Sequence, residues 1–193
     1  MPYSAPAGFT ISRATTDSDR ASVGAFLARH IEGVSASAVP PTSSDDRYAP
    51  FVLQVRGSDG ALVGGSLTMR APMAIAYFVG VAGGLEPVDY ASELDTVSNL
   101  DTMAVHPEHR GAGIGTALVA AMEADLAASG VRVWFGGISG GADSGDVARF
   151  YEHRGFRVLE PNNPLPTFLG RRWTLPHAPN PEFWFYKRPL AHQ

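Results

Sequence analysis

Seven consecutive residues carry the clearest chemistry in this chain: Arg110, Gly111, Ala112, Gly113, Ile114, Gly115 and Thr116. They follow a strand pattern over 98–105 and a His106-Pro107-Glu108-His109 turn, and they open a helix predicted over 113–129. The first N–H groups of a helix have no intrahelical partner, and the helix dipole places partial positive charge there. Glycines remove the side chains that would hold an anion away from the backbone. The implied ligand is a phosphate or pyrophosphate. Arg110 adds a permanent cation, and Thr116 adds a hydroxyl donor.

Other uses of such a segment fit less well. The loop of nucleotide hydrolases ends in Gly-Lys-Ser/Thr, and no lysine occurs here. The dinucleotide fingerprint needs Gly-x-Gly-x-x-Gly. Here Gly111, Gly113 and Gly115 are separated by single residues, and Thr116 stands where the third glycine belongs. That fold also wants an acid after the next strand, whereas residues 131–135 lead into Gly136-Gly137. A glycine-rich turn without a ligand is disfavoured, because glycines at a helix start cost stability and need a compensating reason.

The elements that must position this segment can be read from hydrophobic spacing. Residues 9–13 alternate as a first strand. A helix is predicted over 19–31, capped by Asp17 or Ser18, with Val23, Phe26, Leu27 and Ile31 on one face. Residues 35–50 read as a polar loop with no core face, stiffened by Pro40-Pro41. Residues 51–56 and 61–69 read as strands joined by a Ser58-Asp59-Gly60 turn. Within residues 71–98, residues 73–81 fit either a strand or a short buried helix, broken by Gly83-Gly84 and Pro87, and the whole stretch is long enough to shape the acceptor site or a dimer contact. In the helix over 113–129, Ile114, Leu118, Ala121, Met122 and Leu126 share one face. A strand over 131–135, a helix over 143–154 and closing strands over 156–159 and 183–187 complete the pattern.

The whole chain narrows the function classes. Its 193 residues suit one domain spanning 1–193. A net charge of -4 gives no general basic field for nucleic acid or an anionic membrane. The absence of cysteine excludes disulfides, thiolate metal sites and a cysteine nucleophile. No secretory leader and no run of ~20 apolar residues is visible, so a cytoplasmic location is expected.

Two blocks in order resemble the GNAT superfamily of N-acetyltransferases. The first is Met103-Ala104-Val105-His106-Pro107-Glu108-His109-Arg110-Gly111-Ala112-Gly113-Ile114-Gly115. The second is Ala148-Arg149-Phe150-Tyr151-Glu152-His153-Arg154-Gly155-Phe156. Together they cover about residues 98–159. The resemblance implies an α/β (α+β) fold with a mixed, mostly antiparallel central sheet flanked by helices. The sheet would splay between the strand ending near Val105 and the strand over 131–135, admitting a coenzyme.

The resemblance also implies an activity: transfer of an acetyl group from acetyl-CoA to a primary amine, by direct attack in a ternary complex. A small-molecule amine or a peptide would be the acceptor. The pyrophosphate would meet the backbone of 110–116. The Met103-Ala104-Val105 strand would hold the pantetheine arm through the backbone of Met103 and Val105. Tyr151 matches the position of the donor that stabilises the departing thiolate; packing beside Phe150 is its structural alternative. Asp101 is the candidate base, with Asp95 and Glu93 as rivals and a water relay as a further route; a solvated or capping aspartate is the alternative. An asparagine common in the family is replaced by Gly145, so its contact near the coenzyme falls to Ser144 or is missing. No metal is implied. A second functional class keeps the fold as an acyl-CoA-binding sensor without turnover, and a third uses a longer acyl group or a hydroxyl acceptor.

Several residues outside the two blocks admit plainer readings. His106 and His109 lack an evident third metal ligand and read as exposed loop histidines. Asp45-Asp46 could attract a cationic amine, though a solvated loop tip is the simpler reading. Arg171-Arg172-Trp173 could bind an anionic substrate group, though a solvated loop with one packed tryptophan is the simpler reading. Phe183-Trp184-Phe185-Tyr186 is predicted to offer core on one face and a pocket or homodimer surface on the other. The glycine-rich stretch 136–141 reads as a loop that is either mobile or close to the adenosine end.

Overall fold

The computed structural model describes residues 3–45, 49–70, 95–138, 143–166 and 181–188. Three helices are named here: α1 (Asp17–His30), α2 (Ile114–Ala128) and α3 (Ser144–Glu152). The strands are β1 (Phe9–Arg13), β2 (Phe51–Gly57), β3 (Leu62–Arg70), β4 (Val97–Val105), β5 (Val133–Ile138), β6 (Arg157–Val158) and β7 (Phe183–Lys187). Hydrogen-bonded neighbours follow the order β1-β2-β3-β4-β5-β7-β6. The described ladders are antiparallel except β4–β5, so the sheet is mixed and mostly antiparallel, as the family resemblance implies. No described helix is long and apolar enough to cross a membrane.

The chain divides into two compact units. The first comprises 1–69 and 101–125. Here Phe51↔Thr68 opens the β2–β3 ladder and Phe9↔Gly57 the β1–β2 ladder. The turn between β2 and β3 closes through Gly60, which takes φ 82° and donates its N–H to the Gly57 carbonyl at 2.9 Å. Two adjacent glycines let helices approach both faces of β3. A Cβ on Gly65 would stand 3.0 Å from Val23 of α1, and one on Gly64 would stand 3.2 Å from Ile114 of α2. Successive strand residues point to opposite faces, so α1 and α2 cover opposite sides. Val23, Phe26 and Leu27 bury against Val52 and Leu67. Each such side chain stabilises the unit by roughly 1.5–3 kcal/mol.

Residues 35–50, predicted to carry no core face, do carry one. Val39 is in the core beside Phe26 and Leu27, and Pro40 is buried. A single 3-10 turn, Thr42–Ser44, follows. The segment reaches the core because Gly24 has no side chain: a Cβ there would fall 2.2 Å from the Ala36 carbonyl oxygen. One isolated valine between turn residues has no periodicity, so the pattern could not reveal it.

The second unit comprises 70–100 and 126–193. The first part of β4 pairs in parallel with β5, from Val97↔Val133 to Leu100↔Gly136. β7 then pairs antiparallel with β5 on one edge and β6 on the other. Gly136 and Gly137 belong to β5 rather than to a loop. A Cβ on Gly136 would lie 2.5 Å from the Phe185 ring, and one on Gly137 would lie 2.7 Å from Pro181. These glycines admit bulky neighbours, a use of strand glycine that leaves no local trace. Trp184 and Phe185 lie on opposite faces of β7, yet both are buried; Phe183 and Tyr186 are half-buried. Residues 71–94, the 139–142 part of the glycine-rich stretch, and Arg171-Arg172-Trp173 lie outside the described residues.

Candidate functional site

β4 ends at Val105 and the chain turns on Pro107. The His106 N–H donates to the Val63 carbonyl at 2.9 Å, which ties the turn to β3. The 3-10 turn Pro107–His109 follows, and Arg110 N–H donates back to the Pro107 carbonyl at 3.2 Å. Gly111 and Gly113 then take φ of 80° and 83°. That left-handed backbone costs a side-chain-bearing residue roughly 1–2 kcal/mol. It also explains why α2 begins at Ile114 and not at the predicted Gly113.

The opening of α2 has the properties an anion requires. Ile114 is buried and fixes the first turn against Gly64. The Ala117 N–H donates to the Gly113 carbonyl at 3.0 Å. The N–H groups of Ile114, Gly115 and Thr116 precede that bond, so helix geometry leaves them without an intrahelical acceptor. The first turn of α2 carries no acidic residue. Gly111, Ala112 and Gly113 are exposed, as is Arg110, while Gly115 and Thr116 are half-buried. Upstream, Met103, Ala104 and Val105 are half-buried on β4, beyond the Leu100↔Gly136 pair where the described β4–β5 ladder ends. Asp101 begins this part of β4. Its surface is exposed, but the surrounding protein strips enough hydration to hold its carboxyl above the usual carboxylate range. Of its two rivals, Asp95 pairs with Arg70, and Glu93 lies outside the described residues.

The first unit thus gathers Asp101, Met103, Ala104, Val105 and residues 110–116. The second holds Ser144 and Tyr151, both on α3. Ser144 is the first residue of that helix and is half-buried. The Tyr151 ring is buried and stacks on Phe185, with centroids 4.0 Å apart and planes 14° apart. Phe150 and Phe156 meet it edge-on at 5.2 and 5.3 Å. Burial pushes its hydroxyl well above the ordinary phenol range. The second sequence block also has a local physical reason. Gly155 takes φ 79°, and the Phe156 N–H donates to the Tyr151 carbonyl at 3.1 Å. That is a left-handed helix stop with an apolar residue folded back.

Two side readings need correction. His106 and His109 are half-buried rather than exposed, and their rings extend a ladder from Phe26 through His30 to Phe9, with contacts of 4.5–5.7 Å. Burial, with the charges of His106, Arg29 and Arg110, holds His30 below the ordinary imidazole value. Asp45 is no free acid: it pairs with Arg20, whose guanidinium is buried and also donates to the Ala14 and Pro40 carbonyls at 3.2 and 3.3 Å. Sequence reasoning also passed over Gly64-Gly65, the pair that lets α2 sit close to the sheet. A glycine pair inside an apolar strand pattern is a usable signal of close approach.

Comparison with known proteins places this geometry. The acetyltransferase (GNAT) domain model matches residues 73–158. A mycothiol acetyltransferase of Nocardiopsis dassonvillei is 39% identical over 85 residues, 42% of this chain; the match spans only 25% of that relative's length. A solved protein of Desulfovibrio desulfuricans assigned to the GNAT family superposes with a TM-score of 0.58 at 17% identity, covering 94% of this chain and 99% of that one. A Salmonella typhimurium protein assigned as an acetyltransferase, solved with its cofactor acetyl-CoA, gives 0.56 at 17% identity and covers 96% of each chain. The chain therefore has the GNAT fold.

Proposed function

We propose that this chain is an N-acetyltransferase that uses acetyl-CoA as acyl donor and a primary amine as acceptor. The observation that carries the reading is the turn at 110–116: two left-handed glycines and an arginine opening a helix with no acid in its first turn. Its free backbone donors suit a pyrophosphate, with Arg110 as counter-charge. The half-buried Met103–Val105 backbone of β4 lies directly upstream and suits the amide-bearing arm of the same coenzyme.

The chemistry is a direct displacement. The amine nitrogen forms a bond to the thioester carbonyl carbon, the C–S bond breaks, and the sulfur leaves with its electron pair. The nitrogen must shed a proton, which Asp101 accepts directly or through water. A carboxyl held above its usual range is a stronger base than an ordinary aspartate. Tyr151 serves the leaving group. Its hydroxyl stays protonated across the working pH range because burial disfavours the phenolate. A free thiol ionises near 8.5, so complete transfer from Tyr151 is uphill. The favoured role is a hydrogen bond that stabilises the developing thiolate, with the proton replaced from solvent. No acyl-enzyme is needed, and no cysteine exists to form one.

The test is thiol release from acetyl-CoA against a panel of amines and peptides. Tyr151→Phe should lower kcat by about 10²-fold or more and leave the Kd for CoA within twofold. Tight CoA binding without turnover on any acceptor would instead support an acyl-CoA sensor.

A further inference from the structure

Residues 3–9, which lead into β1, touch the rest of the first unit at three places, and the phosphate reading uses none of them. Tyr3 donates its hydroxyl to Asp125 at 2.5 Å, toward the far end of α2. Pro6 flanks the exposed Gly113: its Cγ stands 3.6 Å from where a Cβ on that glycine would lie. The segment then reverses, with Gly8 at φ 84° and the Phe9 N–H donating to the Pro6 carbonyl at 3.1 Å. Phe9 meets the His109 ring edge-on at 5.6 Å. Gly113 and Asp125 are about 18 Å apart along the axis of α2 at 1.5 Å per residue. Three extended residues reach only ~10 Å, so the Tyr3 side chain makes up the remaining span. The segment lies along α2 and is fastened at both ends.

We propose that residues 3–9 are a positioning strap for the phosphate cradle: the Tyr3–Asp125 bond holds Pro6 over Gly113 and Phe9 against His109, so that the donors of 111–116 are ordered before the coenzyme arrives. This rests on the coenzyme reading above. The physical reason is preorganisation. Glycines give the turn its reach and also its freedom, and ordering a free loop on binding weakens affinity. Contacts at 109 and 113, on either side of Gly111, restrain that freedom without occupying the donors. Tyr3 suits the task, because burial and then Asp125 push its hydroxyl above the ordinary phenol range and keep it a donor. Arg13, 3.9 Å from Asp125, sets an opposite charge beside the acceptor.

The experiment compares Tyr3→Phe and Pro6→Gly with wild type, titrating CoA by calorimetry well below the melting temperature. Each variant should raise the Kd for CoA and the KM for acetyl-CoA 3- to 10-fold, with kcat and the amine KM within twofold. Thr16→Ala, which weakens α1 without touching the strap, controls for general destabilisation and should leave the Kd unchanged. Unchanged Kd in both strap variants would overturn the proposal, as would an equal rise in Thr16→Ala at matched stability. Amide hydrogen exchange over 110–116 is read without any coenzyme. It should quicken at least 5-fold in Tyr3→Phe, and no change would also refute the strap. If wild type fails to bind CoA while that exchange still quickens, the coenzyme reading is wrong and the strap stands.

Discussion

Two helices of the first unit begin in opposite ways. α1 closes its own positive end: the Thr16 hydroxyl accepts from the Asp19 N–H at 3.1 Å, and Asp17 and Asp19 supply negative charge in the first turn. Asp17 also accepts from the Thr42 backbone and hydroxyl at 2.7 and 2.9 Å, so that helix end is a fastening point for the following segment. α2 does none of this. Its first turn has no acid, two glycines before it are left-handed, and the adjacent Arg110 adds positive charge. Similar dipoles are spent internally in one helix and left for an external anion in the other. The difference teaches where to look for a ligand: at the helix start that the chain has declined to satisfy.

The strongest way to break this comparison is to make α2 resemble α1. Gly113→Glu places an acid at the open end and forces a side chain into φ 83°. CoA affinity should fall by at least about 100-fold, or ~2.7 kcal/mol. Titration showing wild-type affinity would refute the cradle. The closed end can be loosened instead. Arg20→Met removes the buried guanidinium that holds Ala14, Pro40 and Asp45. Since Asp45 is itself half exposed, the loss should be about 2 kcal/mol rather than the full cost of a buried pair. Urea denaturation would measure it, and a change under 0.5 kcal/mol would mean the segment 35–45 is held by Val39 alone.

Thr16→Ala should cost ~1 kcal/mol of stability with no effect on CoA binding, which separates a structural helix start from a functional one. The smallest effect concerns pH. Hydrogen bonds from the Thr42 backbone and then its hydroxyl hold Asp17 below its ordinary carboxylate value. A carboxyl depressed in the folded state contributes stability that is present above its unfolded value, and loses it as pH falls through the folded value. Stability measured by denaturation should therefore decline below about pH 4, less steeply in Asp17→Asn. Parallel acid limbs in the two proteins would remove Asp17 from the account.

Much of this was legible along the chain. The apolar face of α2, from Ile114 to Leu126, is buried at every residue the spacing marks. Val23, Phe26 and Leu27 on α1 are buried too, whereas Ile31, predicted on the same face, lies just past the helix end and is half-buried. β7 occupies the predicted residues, and β2–β3 turns where Asp59-Gly60 stands. The boundaries moved where geometry is short-range but not periodic. The cap of α1 is Thr16 rather than Asp17 or Ser18, β5 runs on through two glycines, and β6 shrinks to two residues.

What the sequence alone determined are features that depend on near neighbours: helix faces set by a period of 3.6, a glycine turn that requires positive φ, and a helix stop at Gly155. The tertiary structure decided what depends on distant partners. It made Gly64, Gly65 and Gly136 points of close approach, buried Arg20 against Pro40 and Asp45, drew Val39 into the core, and laid Tyr3 along α2. The reason is physical: local patterns encode torsional preference and amphipathic faces, whereas these contacts join residues 12 to 122 positions apart, and nothing in either neighbourhood states what the other will bring.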